Sequence, residues 1–184
     1  FSRLSLIVVL MFTLSLSALG AVYEKVTTAP ADWSGDYLIV YEDGNVAFNG
    51  NLTTFDAVSN TVTVTIADSK IEATEAMKAA QFTINASGHI KSASGYYIGQ
   101  TSNANGLKSS TSTSYTNTLS LNADGSVNIV SGGAYLRFNA ATDQNRFRYY
   151  KSSSYTSQKA ICLYKLATGG ETETTPTISA SNLD

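Results

Sequence analysis

The chain has 184 residues, a formal net charge of −2 and only 14% Asp, Glu, Lys and Arg. This length suits one domain with extra pieces at its ends, and the near-neutral balance gives no global reason to expect nucleic acid or a membrane surface as partner. Cys162 is the single cysteine, which excludes a disulfide framework and a cysteine-based metal site.

Residues 1–20 read as a secretory signal peptide. Arg3 supplies a positive start, the apolar run from Leu4 to Leu16 is broken only by Ser5, Thr13 and Ser15, and Ala18-Leu19-Gly20 offers small residues for cleavage. A transmembrane anchor would want about 20 apolar residues and a basic flank, and no such flank follows. The protein is expected to be secreted or at the cell surface, with no membrane span in the mature chain. Because the first residue is Phe1 rather than Met, the chain is expected to be truncated at its N-terminus.

Residues 21–167 are rich in Ser, Thr, Asn, Gly and Tyr, as in β-rich secreted domains. Tyr23 to Thr27 is a short strand and Pro30 to Gly35, with Trp33, a turn. Asp36 to Glu42 and Asn45 to Asn49 form a hairpin across Asp43-Gly44. Val62 to Ile66 and Lys70 to Thr74 read as an extra hairpin, or Glu72 to Lys78 as a helical turn. A steady rhythm of strands follows: Gln81 to Asn85, His89 to Ser94, Tyr96 to Thr101 and Gly106 to Thr111. Asn117 to Asn122, Ser126 to Ser131, Ala134 to Asn139 and Arg146 to Ser152 repeat them, and Ala160 to Leu166 closes the series. Nothing reads as an amphipathic helix of ten residues or more.

Two signatures recur. Gly35-Asp36-Tyr37-Leu38, Gly95-Tyr96-Tyr97-Ile98 and Gly133-Ala134-Tyr135-Leu136 share G-x-Y-[LI]. Phe82 to Gly88 and Leu119 to Gly125 share [FL]-[TS]-[IL]-N-A-x-G, 37 residues apart. Gly35 to Gly95 spans 60 residues and Gly95 to Gly133 only 38, so the first repeat carries an insertion. Twelve main strands in three repeats of about 40 residues is the arithmetic of an all-β fold, the β-trefoil, with the inserted hairpin in its first repeat. Leu38, Ile98 and Leu136 are then expected to be superposable core positions.

G-x-Y-[LI] followed by a polar hairpin, with an apolar strand running into a D-G-type turn, resembles fascin-like and ricin-B-like trefoil repeats over residues 23–166. The chain departs from ricin-type lectins in lacking a Q-x-W motif, since Trp33 is the only tryptophan. The module is also similar in style to repeats in secreted multidomain proteins of Bacteroidota, which accompany hydrolytic or adhesive domains. Residues 168–175 read as a polar linker. Residues 176–184 resemble the opening strand of an immunoglobulin-like domain, truncated at Asp184, so the module is expected to be one monomeric part of a longer chain.

No catalytic constellation is visible. His89, the only histidine, has Ser126 as its counterpart in the next repeat and reads as a solvated turn residue. No G-x-S-x-G, P-loop or His-Cys cluster exists, and no cofactor is implied. Asp36, Asp43, Asp68, Asp124 and Asp143 fall at turns and strand edges, where Asp serves local hydrogen bonding. Cys162 lies in an apolar strand and reads as a small buried hydrophobe.

The hairpin tips carry the binding expectation. Asp43-Gly44-Asn45, Asn103-Ala104-Asn105 and Asp143-Gln144-Asn145 present [DN]-x-N at equivalent places. Their carboxylates and amides suit paired saccharide hydroxyls, and Tyr41, Tyr97, Tyr149, Tyr150 and Tyr155 are candidate stacking platforms. Tight-turn chemistry alone would select the same tip residues. Arg137, Arg146, Arg148, Lys151, Lys159 and Lys165 are six of the twelve basic residues, within 29 positions holding one acid, Asp143. Alternation places Arg146 and Arg148 on one face, which suits an acidic glycan or a solvated sheet face. The expected ligand set is therefore Asp143, Gln144, Asn145, Arg146, Arg148 and Tyr149, with Asp43, Asn45, Asn103 and Asn105, and the expected function is non-catalytic glycan binding. A spacer or docking module, and a DNA-holding accessory of a secreted nuclease, are the rival readings; nucleic acid is the less expected partner.

Overall fold

The computed structural model describes residues 20–167. The leader up to residue 19, the linker over 168–175 and the strand expected over 176–184 lie outside the described residues. Within them the chain is nearly all antiparallel β. Strands β1 (Val22–Lys25), β2 (Gly35–Tyr41), β3 (Val46–Phe48), β4 (Thr61–Thr63) and β5 (Lys70–Glu72) precede one short helix, α1 (Glu75–Ala80). Then come β6 (Phe82–Ile84), β7 (Ile90–Ser92), β8 (Tyr97–Gly99), β9 (Lys108–Ser110) and β10 (Thr118–Leu121). The last are β11 (Val127–Ser131), β12 (Ala134–Asn139), β13 (Arg146–Lys151) and β14 (Cys162–Leu166), with a 3-10 turn at Tyr155–Ser157.

Ten strands form one sheet, in the order β5-β1-β14-β2-β6-β7-β8-β9, with β3 on β2 and β4 on β3; β10-β11-β12-β13 form a second. Isolated bridges Gly106↔Tyr149 and Val127↔Ile161 tie the two together. Certain pairings recur three times along the chain. β2/β3, β8/β9 and β12/β13 are hairpins, and β14/β1, β6/β7 and β10/β11 are equivalent antiparallel pairs. The two N-A-x-G turns close alike: Gly88 N–H donates to Asn85 O and Gly125 N–H to Asn122 O, at 2.9 and 3.0 Å.

Their glycines differ in surroundings. Gly88 and Gly125 both have left-handed φ, +75° and +80°, but a Cβ on Gly88 would meet the Asn117 carbonyl at 2.1 Å, whereas on Gly125 it would meet only the end of Lys25 at 3.6 Å. Gly125→Ala should therefore cost about 1–2 kcal/mol of backbone strain. Gly88→Ala should cost on the order of 3 kcal/mol or more, because the Asn117 N–H to Gly88 O bond of 2.8 Å must also shift. Urea unfolding of the two variants side by side checks this; equal losses would refute it.

The main core draws on every repeat. Phe48 lies against Phe82, Phe147 and Phe55 with ring centroids 4.9, 5.2 and 5.8 Å away. Ile90, Ile98, Ile129, Leu136 and Leu163 complete it, each with no exposed surface. A second cluster lies across the other face of β1, β2 and β14, where Tyr23, Leu38, Val40, Cys162 and Tyr164 pack against Ile71 of β5 and Met77 and Ala80 of α1. Thr74 caps α1 through the Met77 N–H at 3.3 Å and turns Met77 and Ala80 inward.

Three sequence expectations change here. The inserted residues do not form a hairpin of their own: β4 pairs with β3 and β5 with β1, and only the Ala67↔Lys70 bridge links the two limbs. The alternative expectation, a helical turn over Glu72 to Lys78, is met in part by α1 at Glu75–Ala80. Leu38 is not the counterpart of Ile98 and Leu136, because Tyr37 and Ile39 face the main core while Leu38 faces the second cluster. A one-residue change of parity reverses every side chain on a strand, and β2 tolerates it because the insertion buries its outer face. His89 is half-buried rather than solvated. Its Nδ1 lies 2.8 Å from the Tyr115 carbonyl, which can only accept, so Nδ1 carries the proton.

Candidate ligand-binding surface

The β12/β13 hairpin closes through an exposed tip in which Asp143 takes φ +60°. Ala141 N–H donates to Asn139 Oδ1 at 2.9 Å and Gln144 N–H to Ala141 O at 3.0 Å. Asp143, Gln144 and Asn145 all stand in solvent. Arg146 donates through Nη2 to Gln144 Oε1 at 2.7 Å. Arg148 Nε lies 2.9 Å from Asp56 Oδ1, an ion pair whose N–H is not aligned for a hydrogen bond. Asp56 Oδ2 accepts from Leu107 N–H at 3.2 Å, and Ser59 N–H donates to Asn145 O at 2.7 Å. The insertion of the first repeat thus buttresses the hairpin of the third. Asp56 gives no local sequence signal; only long-range packing pairs it with Arg148.

Tyr149 is not part of this surface. It is fully buried, and its hydroxyl donates to Asn117 Oδ1 at 2.6 Å. Burial alone pushes its phenol far above the ordinary tyrosine value. The reason is elementary: the alternation that turns Arg146 and Arg148 outward turns Phe147 and Tyr149 inward. Both of the latter have no exposed surface.

The other two tips play different parts. Asn103 Oδ1 accepts from Ser152 N–H and its Nδ2 donates to Ser152 Oγ, both at 2.7 Å, while Asn105 Oδ1 accepts from Lys151 N–H at 2.9 Å. These amides clamp the end of β13. Asn45 sits at φ +50° in the β2/β3 turn, and Asp43 lines a hollow of about 190 Å³ with Tyr41, Asp124 and Lys159. Among the described residues no hydrogen bond joins one tip to another, and the shared [DN]-x-N pattern reflects turn-making and clamping more than one common site.

Of the proposed tyrosine platforms, Tyr149 and Tyr150 are buried, while Tyr41, Tyr97 and Tyr155 are half-buried and already engaged by neighbouring groups. Tyr41 stacks on Phe138 at 4.6 Å, and Tyr155 stacks on Tyr135 at 3.9 Å. Tyr150 is 5% exposed, and Lys91 Nζ lies 5.6 Å from the Tyr97 ring centroid. Arg137 is likewise withdrawn: it is buried, donates to the Val127 and Leu136 carbonyls, and faces the Tyr155 ring at 4.9 Å. The only tryptophan, read from sequence as a turn residue, lines a separate cleft.

Comparison with protein-family models, curated proteins and solved structures gave no match. The surface therefore has to be read from its own chemistry. Among the described residues no cluster of three or more His, Cys, Asp or Glu side chains is placed to hold a metal ion, and no helix is long and apolar enough to cross a membrane. Cys162 is buried, and desolvation first, then the nearby Glu42 charge, push its thiol up to about 12. A thiol so held is a poor nucleophile.

Beside it Glu42 accepts from Lys25 Nζ at 2.8 Å and from the Tyr164 hydroxyl at 2.6 Å. Desolvation raises the Glu42 carboxyl, but those two hydrogen bonds and the Lys25 charge outweigh it and hold the group below its ordinary value of 4.5. Its stabilising contribution is complete above that value and is lost as pH falls through the lower folded one. Urea midpoints of wild type and Glu42→Gln should accordingly differ at pH 7 and converge in acid; a gap independent of pH would contradict the assignment.

Proposed function

We propose that the chain is a non-catalytic binding module of a secreted protein, and that it takes an acidic glycan at the tip of the β12/β13 hairpin. In this reading the three repeats close as a β-trefoil, which the threefold recurrence of antiparallel strand pairings supports. The observation that carries the ligand class is Arg146. It is half-buried at the foot of an exposed tip, engaged only by the neutral amide of Gln144, with no carboxylate partner among the described residues. Arg148 shares its face and is already balanced by Asp56. A uronic-acid carboxylate or a sulfate ester would supply the missing anion and could be held by the planar guanidinium in a forked pair. The neighbouring Gln144 and Asn145 amides would meet the ring hydroxyls.

The test is a titration of the purified protein with acidic and neutral oligosaccharides, and with DNA, at two salt concentrations. Acidic oligosaccharide should bind, and Arg146→Ala should weaken it about tenfold while leaving the fold intact, since the side chain makes one exposed hydrogen bond. DNA binding that falls steeply with salt would favour the nuclease-accessory reading instead. A spacer or docking role is supported by the engagement of the Asn103 and Asn105 side chains with the end of β13. It would stand alone if folded protein bound neither glycan nor DNA.

A further inference from the structure

The threefold pattern breaks at one place. β7 and β8 are joined by the short link over residues 93–96, and β11 and β12 by Gly132-Gly133, but β1 and β2 are separated by the longer stretch from Val26 to Ser34. That stretch carries Trp33 and lays it beside the Asn85–Gly88 turn and the start of β10. Between them lies a cleft of about 370 Å³, lined by Asp32, Trp33, Asn85, Ser87, Thr116 and Thr118 among others. Its volume falls in the range of about 300–1,000 Å³ usual for small-molecule sites. Because the longer link belongs to the first repeat alone, the other repeats have no Trp33-bearing counterpart.

The polar groups of this cleft are half-used. Asp32 Oδ1 accepts from both Ser34 N–H and Ser34 Oγ at 2.9 Å, while Oδ2 has no hydrogen-bond partner among the described residues. The same two bonds hold the Asp32 carboxyl below its ordinary range and thus ionised at neutral pH. Asn85 Oδ1 accepts from Ser87 N–H at 3.1 Å and His89 N–H at 3.0 Å. That fixes the amide and leaves its Nδ2 donor without a protein partner among the described residues. Thr116 and Thr118 add exposed hydroxyls. Trp33 packs against the main core and is only half-buried, so the ring is anchored where it borders the cleft. No basic side chain lines it.

We infer that this cleft is a second saccharide site, distinct from the hairpin tip and built for an uncharged sugar ring. One hydroxyl donates to Asp32 Oδ2, its neighbour accepts from Asn85 Nδ2, and the apolar C–H face of the ring lies on the Trp33 indole. The Asp32 carboxylate and the absence of any lining cation disfavour the anionic ligands that Arg146 suits. The inference rests on the glycan-binding reading for its ligand class, but uses none of the residues of the tip.

Trp33 is the only tryptophan in the chain, so intrinsic emission reports this site alone. The purified protein is titrated with soluble neutral β-linked glucan, xylan and mannan oligosaccharides, following Trp33 fluorescence and binding heat together. At least one should give a saturable emission change with the same affinity as the heat. Asn85→Asp and Asp32→Asn keep the Oδ1 acceptors of their turns while replacing the free donor or acceptor. Each should weaken binding about tenfold with an unchanged melting curve, and Trp33→Ala should abolish the heat. Arg146→Ala should leave the emission response as in wild type. Neutral binding that is silent in Trp33 emission and unaffected by Asn85→Asp would overturn the inference while glycan binding stands. Binding of acidic oligosaccharide only, in folded wild type, would also overturn it and leave the tip reading intact. No binding of either class would end both.

Discussion

Replacing Tyr149 by alanine is expected to cost about 3–5 kcal/mol, the range for deleting a fully buried aromatic ring. The ring has no exposed surface and is part of the main core. Its loss also strips Asn117 Oδ1 of its donor, while Asn117 Nδ2 remains bound to Ile98 O at 3.2 Å. Tyr149→Phe separates the two contributions. It keeps most of the packing and removes only the hydroxyl, leaving a buried acceptor unsatisfied for about 1–3 kcal/mol. Urea denaturation of both variants measures the pair. If both leave stability untouched, the buried placement of Tyr149 is wrong and its candidacy as a surface platform returns. Loss of ligand binding in Tyr149→Ala alone would say nothing about a site, because where total stability is only about 5 kcal/mol the variant would keep no more than about 2 kcal/mol of it.

Asn60 should be comparably sensitive despite being polar. It is 2% exposed. Its Nδ2 donates to Phe55 O at 2.7 Å and to Phe147 O at 2.9 Å, and its Oδ1 accepts from Phe147 N–H at 2.8 Å. One side chain thus pairs three backbone groups and ties the insertion of the first repeat to β13 of the third. Asn60→Ala would leave those groups buried without partners, at on the order of 3 kcal/mol or more in total. Asn60→Asp is a sharper probe, since it keeps the acceptor for Phe147 N–H and places a second oxygen against two carbonyls. Both variants should lose stability in thermal melts, and hydrogen exchange should show the Phe147 amide losing protection. Full stability in Asn60→Asp would rule out this bridging geometry. The loss should extend to the hairpin tip, because the same segment supplies Asp56 to Arg148 and the Ser59 N–H to Asn145 O.

The strand plan was largely legible because its signals are local. Turn-formers at Asp43-Gly44, Asn85 to Gly88 and Asn122 to Gly125 punctuate short apolar runs, and each predicted strand of the regular series overlaps an observed one within a few residues. Facing on β13 was legible too. The period of two that correctly turns Arg146 and Arg148 away from the core also buries Tyr149, so its interior placement could have been read from the same alternation. The parity of β2 could not. Its run Tyr37-Leu38-Ile39-Val40 is apolar at every position, and such a strand, covered on both sides, carries no alternation to say which face meets the main core.

What the sequence by itself determined about this protein is the set of relations between near neighbours: where the chain turns, where it extends, and that it does so repeatedly. Turn chemistry and strand periodicity act over two to four residues, so they can be read from the order of residues alone. Only the tertiary structure decided which polar groups remain available to a ligand. Asn103 and Asn145 share a motif and both are exposed, yet the side chain of the first clamps Ser152, 49 positions away, while that of the second makes no hydrogen bond among the described residues. Asp56 finds Arg148, Asn60 finds Phe147, and Trp33 comes to face the turn at Asn85 through contacts that no local pattern encodes. Whether a hydrogen-bonding group is spent inside the molecule or left open depends on partners brought together by packing of the whole chain. For that reason equal motifs at three hairpin tips acquired unequal roles.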